Sequence, residues 1–402
     1  MDETKPRSGV LWLQVFALAT VQGAITLAWV IYGVYLVKLL TDFGLPDHLG
    51  RGLLIIENAL AVVMEPLMGG LSDRGQRWLG TRFPFISVGV ILSSALFIAI
   101  PTIVLLGRPT DGMRWVLILI IVAWSLAMTV FRSPALCLLG QYAFATKLPQ
   151  AASILTLVGG LAGAIRPLAS GFLLSLGPAL TFAIGSFTLL GSAAVLRAVR
   201  PQTAISPAGT DPSAEKNTWV TSVSLLFGIG FCVAWGVRLA LGEILPRLLQ
   251  MGLPTFNVGF LMGMVSILLA LFSVPAGTIA TRQGNRPMMA LGAVGVAGLI
   301  GALAFLPPSG VLVSLVTLCL LACLSLVLNG AIPLALSMTP ASQGGLAIGM
   351  YFGGFSAAIS LFGYLFAQSN QIALSSCGFM AMVAFVLAAA GILWGDRQAD
   401  AT

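Results

Sequence analysis

Twelve predominantly apolar runs, most of them 20 to 30 residues long and joined by connections mostly shorter than a dozen residues, limit what this chain can fold into. A helix needs about 20 apolar residues to cross the hydrocarbon core of a bilayer, and backbone exposed to lipid must satisfy its own hydrogen bonds. The runs therefore predict membrane-spanning helices, with approximate limits 10–40, 51–71, 84–106, 115–140, 151–176, 178–198, 218–243, 257–280, 288–306, 311–337, 345–367 and 374–394. What remains between them is too short for a soluble domain.

Composition agrees. The chain is 58% hydrophobic and 8% charged, with a mean hydropathy of +1.01, whereas a soluble globule is about 25% charged. An all-α membrane protein is expected, with the lipid bilayer as its surroundings. The net charge of +7 would suggest nucleic acid in a soluble protein, but here it reflects basic residues anchoring loops, and no nucleic-acid partner is expected. Twelve lysines and arginines, Lys5, Arg7, Arg74, Arg77, Arg82, Lys147, Arg197, Arg200, Lys216, Arg282, Arg286 and Arg397, fall on the side of the N-terminus. Only Lys38, Arg51, Arg108, Arg114 and Arg247 fall on the other, so both termini are expected in the cytoplasm, in a bacterial inner membrane. The first span is too long for a signal-peptide core and reads as uncleaved. All five cysteines, Cys137, Cys232, Cys319, Cys323 and Cys377, lie in apolar runs and read as packing residues.

The stretch from Glu65 to Ile86 concentrates glycines, a carboxylate and arginines between two spans and reads as a cytoplasmic hairpin. Gly69 and Gly70 would let two helix ends touch. Asp73 would meet either the N-terminus of a neighbouring helix or a local arginine, a contact able to break and re-form, or else lie in a solvated turn. Gly69-x-Leu71-x-Asp73-Arg74 resembles the loop motif between helices 2 and 3 of the major facilitator superfamily. The longer pattern, Ser72-Asp73-Arg74 followed by Gly80-x-Arg82-x-Pro84-Phe85-Ile86, is similar to that of its sucrose-type and glycoside-cation symporter branches. Gln76 replaces the motif's second glycine, and Thr81 and Phe83 replace basic residues of the sucrose-type form.

The resemblance implies twelve helices in two pseudo-symmetric six-helix bundles. Residues 1–198 would form one and 218–402 the other, joined by a proline- and serine-rich cytoplasmic linker at 199–217. Gly277 to Pro287 falls where a second hairpin should be, but Ala280 stands in place of the aspartate. Pro149 followed by Gly159-Gly160 is echoed by Pro340 followed by Gly353-Gly354. Spans five and eleven carry small-residue stripes, Gly159, Gly163, Arg166, Ser170 and Gly349, Gly353, Ser356, Ser360, suited to close helix contact.

Six ionisable residues lie within spans: Glu57, Glu65, Arg132, Arg166, Arg238 and Glu243. A lone charge at mid-membrane costs about 3 kcal/mol or more, so pairing is expected. At ~1.5 Å per residue, Glu65 and Arg132 lie at matching depths near the cytoplasmic end and should meet. Glu65 then reads either as a structural ion pair or as a coupling group. Superfamily members often carry a functional arginine in span four, although the family motif there is not reproduced around Arg132. Glu57, surrounded by leucine and isoleucine, has the least obvious partner. A carboxylate moving between an apolar and a paired setting can carry a proton, which makes Glu57, Glu65 and Arg132 the coupling candidates.

Gln22, Thr26 and Trp29 share one face of span one, and Trp235, Arg238 and Gly242 one face of span seven. Such mixtures suit a sugar, whose hydroxyls need hydrogen bonds and whose C–H face needs an aromatic plane. With Asn58, Arg166, Glu243 and Asn329 they form the expected cavity set, and Trp124 also sits deep enough to line a path. Gly69, Gly70, Asp73, Arg74, Gly80 and Arg82 form the expected conformational latch.

There is no phosphate-binding glycine loop for ATP, and the only histidine, His48, is external, so neither cofactor nor metal is expected. The first reading is a monomeric, proton-coupled symporter of a sugar or similar small neutral solute, working by alternating access and not an enzyme. A proton-antiport exporter of hydrophobic compounds would need a mostly apolar cavity. A non-transporting pigment-delivery or assembly factor of the same fold would have its cavity plugged.

Overall fold

The computed structural model describes residues 9–200, 219–303, 309–366 and 372–400. The expected linker lies outside them beyond Arg200, as do Lys5, Arg7 and Lys216. All regular structure among the described residues is helical: α1 (Trp12–Asp42), α2 (His48–Leu79), α3 (Phe83–Leu106), α4 (Asp111–Cys137), the short α5 (Leu139–Tyr142), α6 (Leu148–Ser175), α7 (Pro178–Ala198), α8 (Trp219–Leu239), α9 (Leu245–Gly252), α10 (Val258–Gln283), α11 (Asn285–Ala302), α12 (Gly310–Ser337), α13 (Gly344–Leu365) and α14 (Leu374–Asp400). Among the described residues eleven spans are long and apolar enough to cross a membrane. The twelfth, α11, has 18 residues and opens on Asn285-Arg286, which dilutes its apolar character.

Two boundaries differ from expectation for physical reasons. Helix α2 does not stop at the end of its apolar run but continues to Leu79, so Asp73 and Arg74 lie on a helix and the hairpin shrinks to Gly80–Arg82. Gly80 ends α2 in the left-handed region, at φ 68°, a conformation that costs glycine least. The seventh span runs past 243: α8 continues through a π turn, Ala240–Ile244, into α9, which places Arg247 in a helix and not in a loop. Spans five and eleven are each entered through a 3₁₀ turn, Ala145–Lys147 and Ala341–Gln343, a structural echo of the proline-glycine repeat.

Helices α1–α7 pack among themselves, as do α8–α14, and each set is called a half. They meet along two seams, α2 against α13 and α6 against α10, where glycines remove the side chains that would hold the backbones apart. Gly160 sits against Ala270, and Gly353 against the Val62 carbonyl, which Pro66 leaves without its usual intrahelical donor. At the end carrying Arg74, Arg82, Arg282 and Arg286, α4 and α6 also reach α13 and α12. Among the described residues no comparable packing joins α1 to α8 or α9 at the opposite end, so the molecule is closed at its basic end and more loosely joined at the other.

Candidate functional site

The basic end is held by Asp73. Its carboxylate accepts the N–H groups of Gly345 at 2.9 Å and Leu346 at 2.8 Å, in the first turn of α13, and pairs with the Arg82 guanidinium at 2.5 Å. Both side chains are buried, and Arg82 also donates to Ser72 Oγ at 3.2 Å. Asp73 therefore has both partners that its sequence allowed. It satisfies orphan amides of a helix in the other half of the molecule and sits where the helix dipole favours a negative charge. Arg74, next to Asp73 in the chain, is exposed and takes no part. Gly69 lies directly on the Gly345 backbone, whereas the nearest atom to a Cβ on Gly70 would be Leu346 Cδ1 at 3.8 Å, so only the first glycine of the pair is required for contact.

One layer deeper, the structure brings Glu65 and Arg132 together. Glu65 is fully buried, accepts from Arg132 Nη1 at 3.3 Å and from Ser133 Oγ at 2.5 Å, and Arg132 stacks 4.1 Å from the Phe352 ring centroid on α13. An ion pair within one half thus ends in a cation–π contact with the other. Ser133 and Phe352 were not singled out from the sequence.

Glu57, only 2% exposed, is not left alone: Tyr32 of α1 donates its hydroxyl to Oε1 at 2.5 Å, while Oε2 is buried with no partner. Tyr32 escaped notice because it sits in an apolar run. The available signal was its phenol, since a mid-span hydroxyl must find a polar partner. The ring belongs to an aromatic cluster with Trp29, Trp124 and Phe97, centroids 4.6 to 5.8 Å apart. Trp124 is fully buried inside this half and lines no path.

Gln22, Thr26 and Gly33 of α1 are set against Gly159, Gly163 and Arg166 of α6, and Trp29 shares their stripe by its spacing while packing on Tyr32 and Trp124. A Cβ on Gly159 would lie 3.3 Å from Gln22, one on Gly163 3.7 Å from Thr26, and one on Gly33 3.5 Å from the Arg166 guanidinium carbon. The Gln22 amide oxygen has no donor, and Arg166 is exposed. An exposed arginine inside a span faces water within the molecule and not lipid.

The remaining cavity candidates are placed elsewhere. Asn329 is buried at the closed end, donating to the Pro149 carbonyl at 3.0 Å and contacting Thr156 Oγ1 at 3.4 Å, so it bridges the halves and does not line an open cavity. The Asn58 amide is spent on the Leu54 carbonyl of its own helix. Trp235 packs with Phe231, Phe362 and Phe366, and Arg238 lies over Phe362, in the α8–α13 seam. Glu243, on the π turn, pairs with Arg247 at 2.9 Å and with Arg238 at 3.7 Å. The five cysteines are free, and no group of three or more metal-binding side chains occurs among the described residues.

A sequence profile described as Major Facilitator Superfamily matches residues 18–363 of the chain. The protein belongs to that superfamily. No curated protein matches it in sequence. Among solved structures, this superfamily member is similar to a bacterial homologue of the iron transporter ferroportin in an outward-facing state, with a TM-score of 0.75 and 17% identity over 96% of this chain and 98% of that one. It is also similar to the E. coli fucose:proton symporter FucP, at 0.67 and 13% over 96% and 99%. A third is the proton:xylose symporter XylE, at 0.66 and 13% over 96% and 94%. The chain is an integral membrane transporter with the major facilitator fold and not an enzyme.

Proposed function

We propose that this transporter is a proton-coupled symporter of a sugar or similarly small hydroxylated solute, acting by alternating access with its basic end in the cytoplasm. The observation that carries the reading is Glu57, a membrane-buried carboxyl group held by one neutral hydroxyl and retaining one unpartnered oxygen. A carboxyl group that exchanges such a setting for a hydrated one can take up and release a proton. The loop motif and the fold shared with the fucose and xylose symporters support the solute class. The polar stripe of Gln22 and Thr26 speaks against a carrier of hydrophobic compounds, and the sparser packing at the end opposite the basic one against a plugged assembly factor. In this reading the structure is outward-open, and Asp73 with Arg82 is the latch that must release before the basic end opens.

The test is uptake into proteoliposomes under an imposed pH gradient, with a panel of neutral sugars and sugar acids. Glu57→Gln is expected to abolish pH-driven accumulation while preserving solute counterflow, because exchange moves no net proton. Accumulation undiminished in this variant would move the proton site to Glu65.

A further inference from the structure

We infer that the solute is an acid, a hydroxylated carboxylate such as a sugar acid, and that Arg166 binds its anionic group. The inference rests on the reading of the chain as a proton-coupled carrier of a small hydroxylated solute and narrows that solute to one bearing a carboxylate. The other arginines within the spans, Arg132, Arg238 and Arg247, each have a carboxylate within 4 Å. Glu65 holds Arg132, Glu243 is shared by Arg247 and Arg238, and Glu57 is bonded to Tyr32. Arg166 alone of the intramembrane arginines has neither a carboxylate nor an aromatic ring against it among the described residues. It stands in the outer half of α6, its guanidinium over Gly33, where the missing side chain leaves the group accessible.

An arginine kept uncompensated inside a membrane protein is expensive unless water or a ligand supplies the countercharge. Its fork of N–H donors matches a carboxylate in two-point geometry. The stripe beneath it supplies the rest of a sugar-sized site. Trp29 lies one turn deeper, about 6 Å along α1, followed by Thr26 and then by Gln22, whose amide oxygen is buried against α6 without a donor. A carboxylate brings one negative charge to one arginine, whereas a phosphate dianion would leave a charge unmatched. One proton carried with one carboxylate makes transport electroneutral.

The experiment compares glucuronate and gluconate with glucose, glucuronate methyl ester and glucose 6-phosphate. Thermal stabilisation of purified protein and counterflow in proteoliposomes are measured, neither of which needs proton coupling. The acids are expected to stabilise and exchange, the ester and glucose to do neither, and Arg166→Gln to weaken acid binding on the order of 100-fold, with Arg166→Lys recovering part of it. Uptake driven by a pH gradient should be unchanged by a potassium diffusion potential. Equal binding of ester and acid, indifference to Arg166→Gln, preference for the phosphate, or no stabilisation by either acid would each overturn the proposal. If Arg166→Gln does not fold, the ester-to-acid comparison on the native protein decides alone. Acid exchange that depends on Arg166 but is not driven by a pH gradient would sink the proton reading and leave this one standing.

Discussion

At the residue scale the charged seam separates two arginines that the motif places almost equally near Asp73. Adjacent residues on a helix point about 100° apart, so Arg74 cannot turn back onto the Asp73 carboxylate, while Arg82 returns to it after the three-residue turn at Gly80. Arg74→Gln is therefore expected to leave the conformational balance unchanged. Asp73→Asn removes one charge from three hydrogen bonds and leaves Arg82 buried without its counterion. Hydrogen bonds to charged groups contribute about 1.5–3 kcal/mol each, so the basic-end-closed state should lose at least ~2 kcal/mol. Spin-label distances across the basic end should shift toward the open population in Asp73→Asn and stay put in Arg74→Gln. The reverse pattern would make Arg74 the partner and refute the geometry.

At the scale of elements, the glycine seams are the parts that can least tolerate added atoms. A Cβ on Gly345 would fall 2.5 Å from the Gly69 carbonyl oxygen and 2.8 Å from both Asp73 Oδ1 and Arg82 Nη1, so Gly345→Ala should force α13 off α2 at a cost of about 1–3 kcal/mol. Gly70→Ala should be silent, because the nearest neighbour is a flexible leucine methyl at 3.8 Å. Cysteine accessibility at the basic end would distinguish them, and equal effects would mean that the motif glycines act through the turn and not through the seam. These contacts also mark the limit of what was legible beforehand. The spans were readable because each is a long apolar run, and Glu65 with Arg132 because depth along two helices is simple counting. The end of α2 was not, since its last turns from Ser72 to Arg77 are polar yet stay helical under tertiary support from α13. Tyr32 was hidden because a tyrosine in an apolar run looks like packing, and Asn329 because a polar residue in a span reads the same whether it faces a cavity or a closed gate.

For the whole molecule, the two halves are joined at the basic end by two locks of different chemistry on opposite seams. The α2–α13 seam uses the charged trio of Asp73, Arg82 and the first turn of α13. On the α6 side the bonds are neutral: Asn329 to the Pro149 carbonyl, and Ser273 Oγ to the Ser153 carbonyl at 2.9 Å. Ala280 in place of a second aspartate leaves α10 without a carboxylate at that end. The locks share no residue, so opening need not begin at both, and the charged one carries the larger share of the energy. Asn329→Leu should therefore shift the balance toward the open basic end by about 1 kcal/mol, less than Asp73→Asn, and the double variant should equal the sum of the two within about 0.5 kcal/mol, as expected of separated sites. The populations of the four proteins, read from the same spin-label pair, test this directly. A double variant no more open than Asp73→Asn alone would mean that the neutral lock has already released when the charged one lets go, and that the two halves separate in a single concerted step.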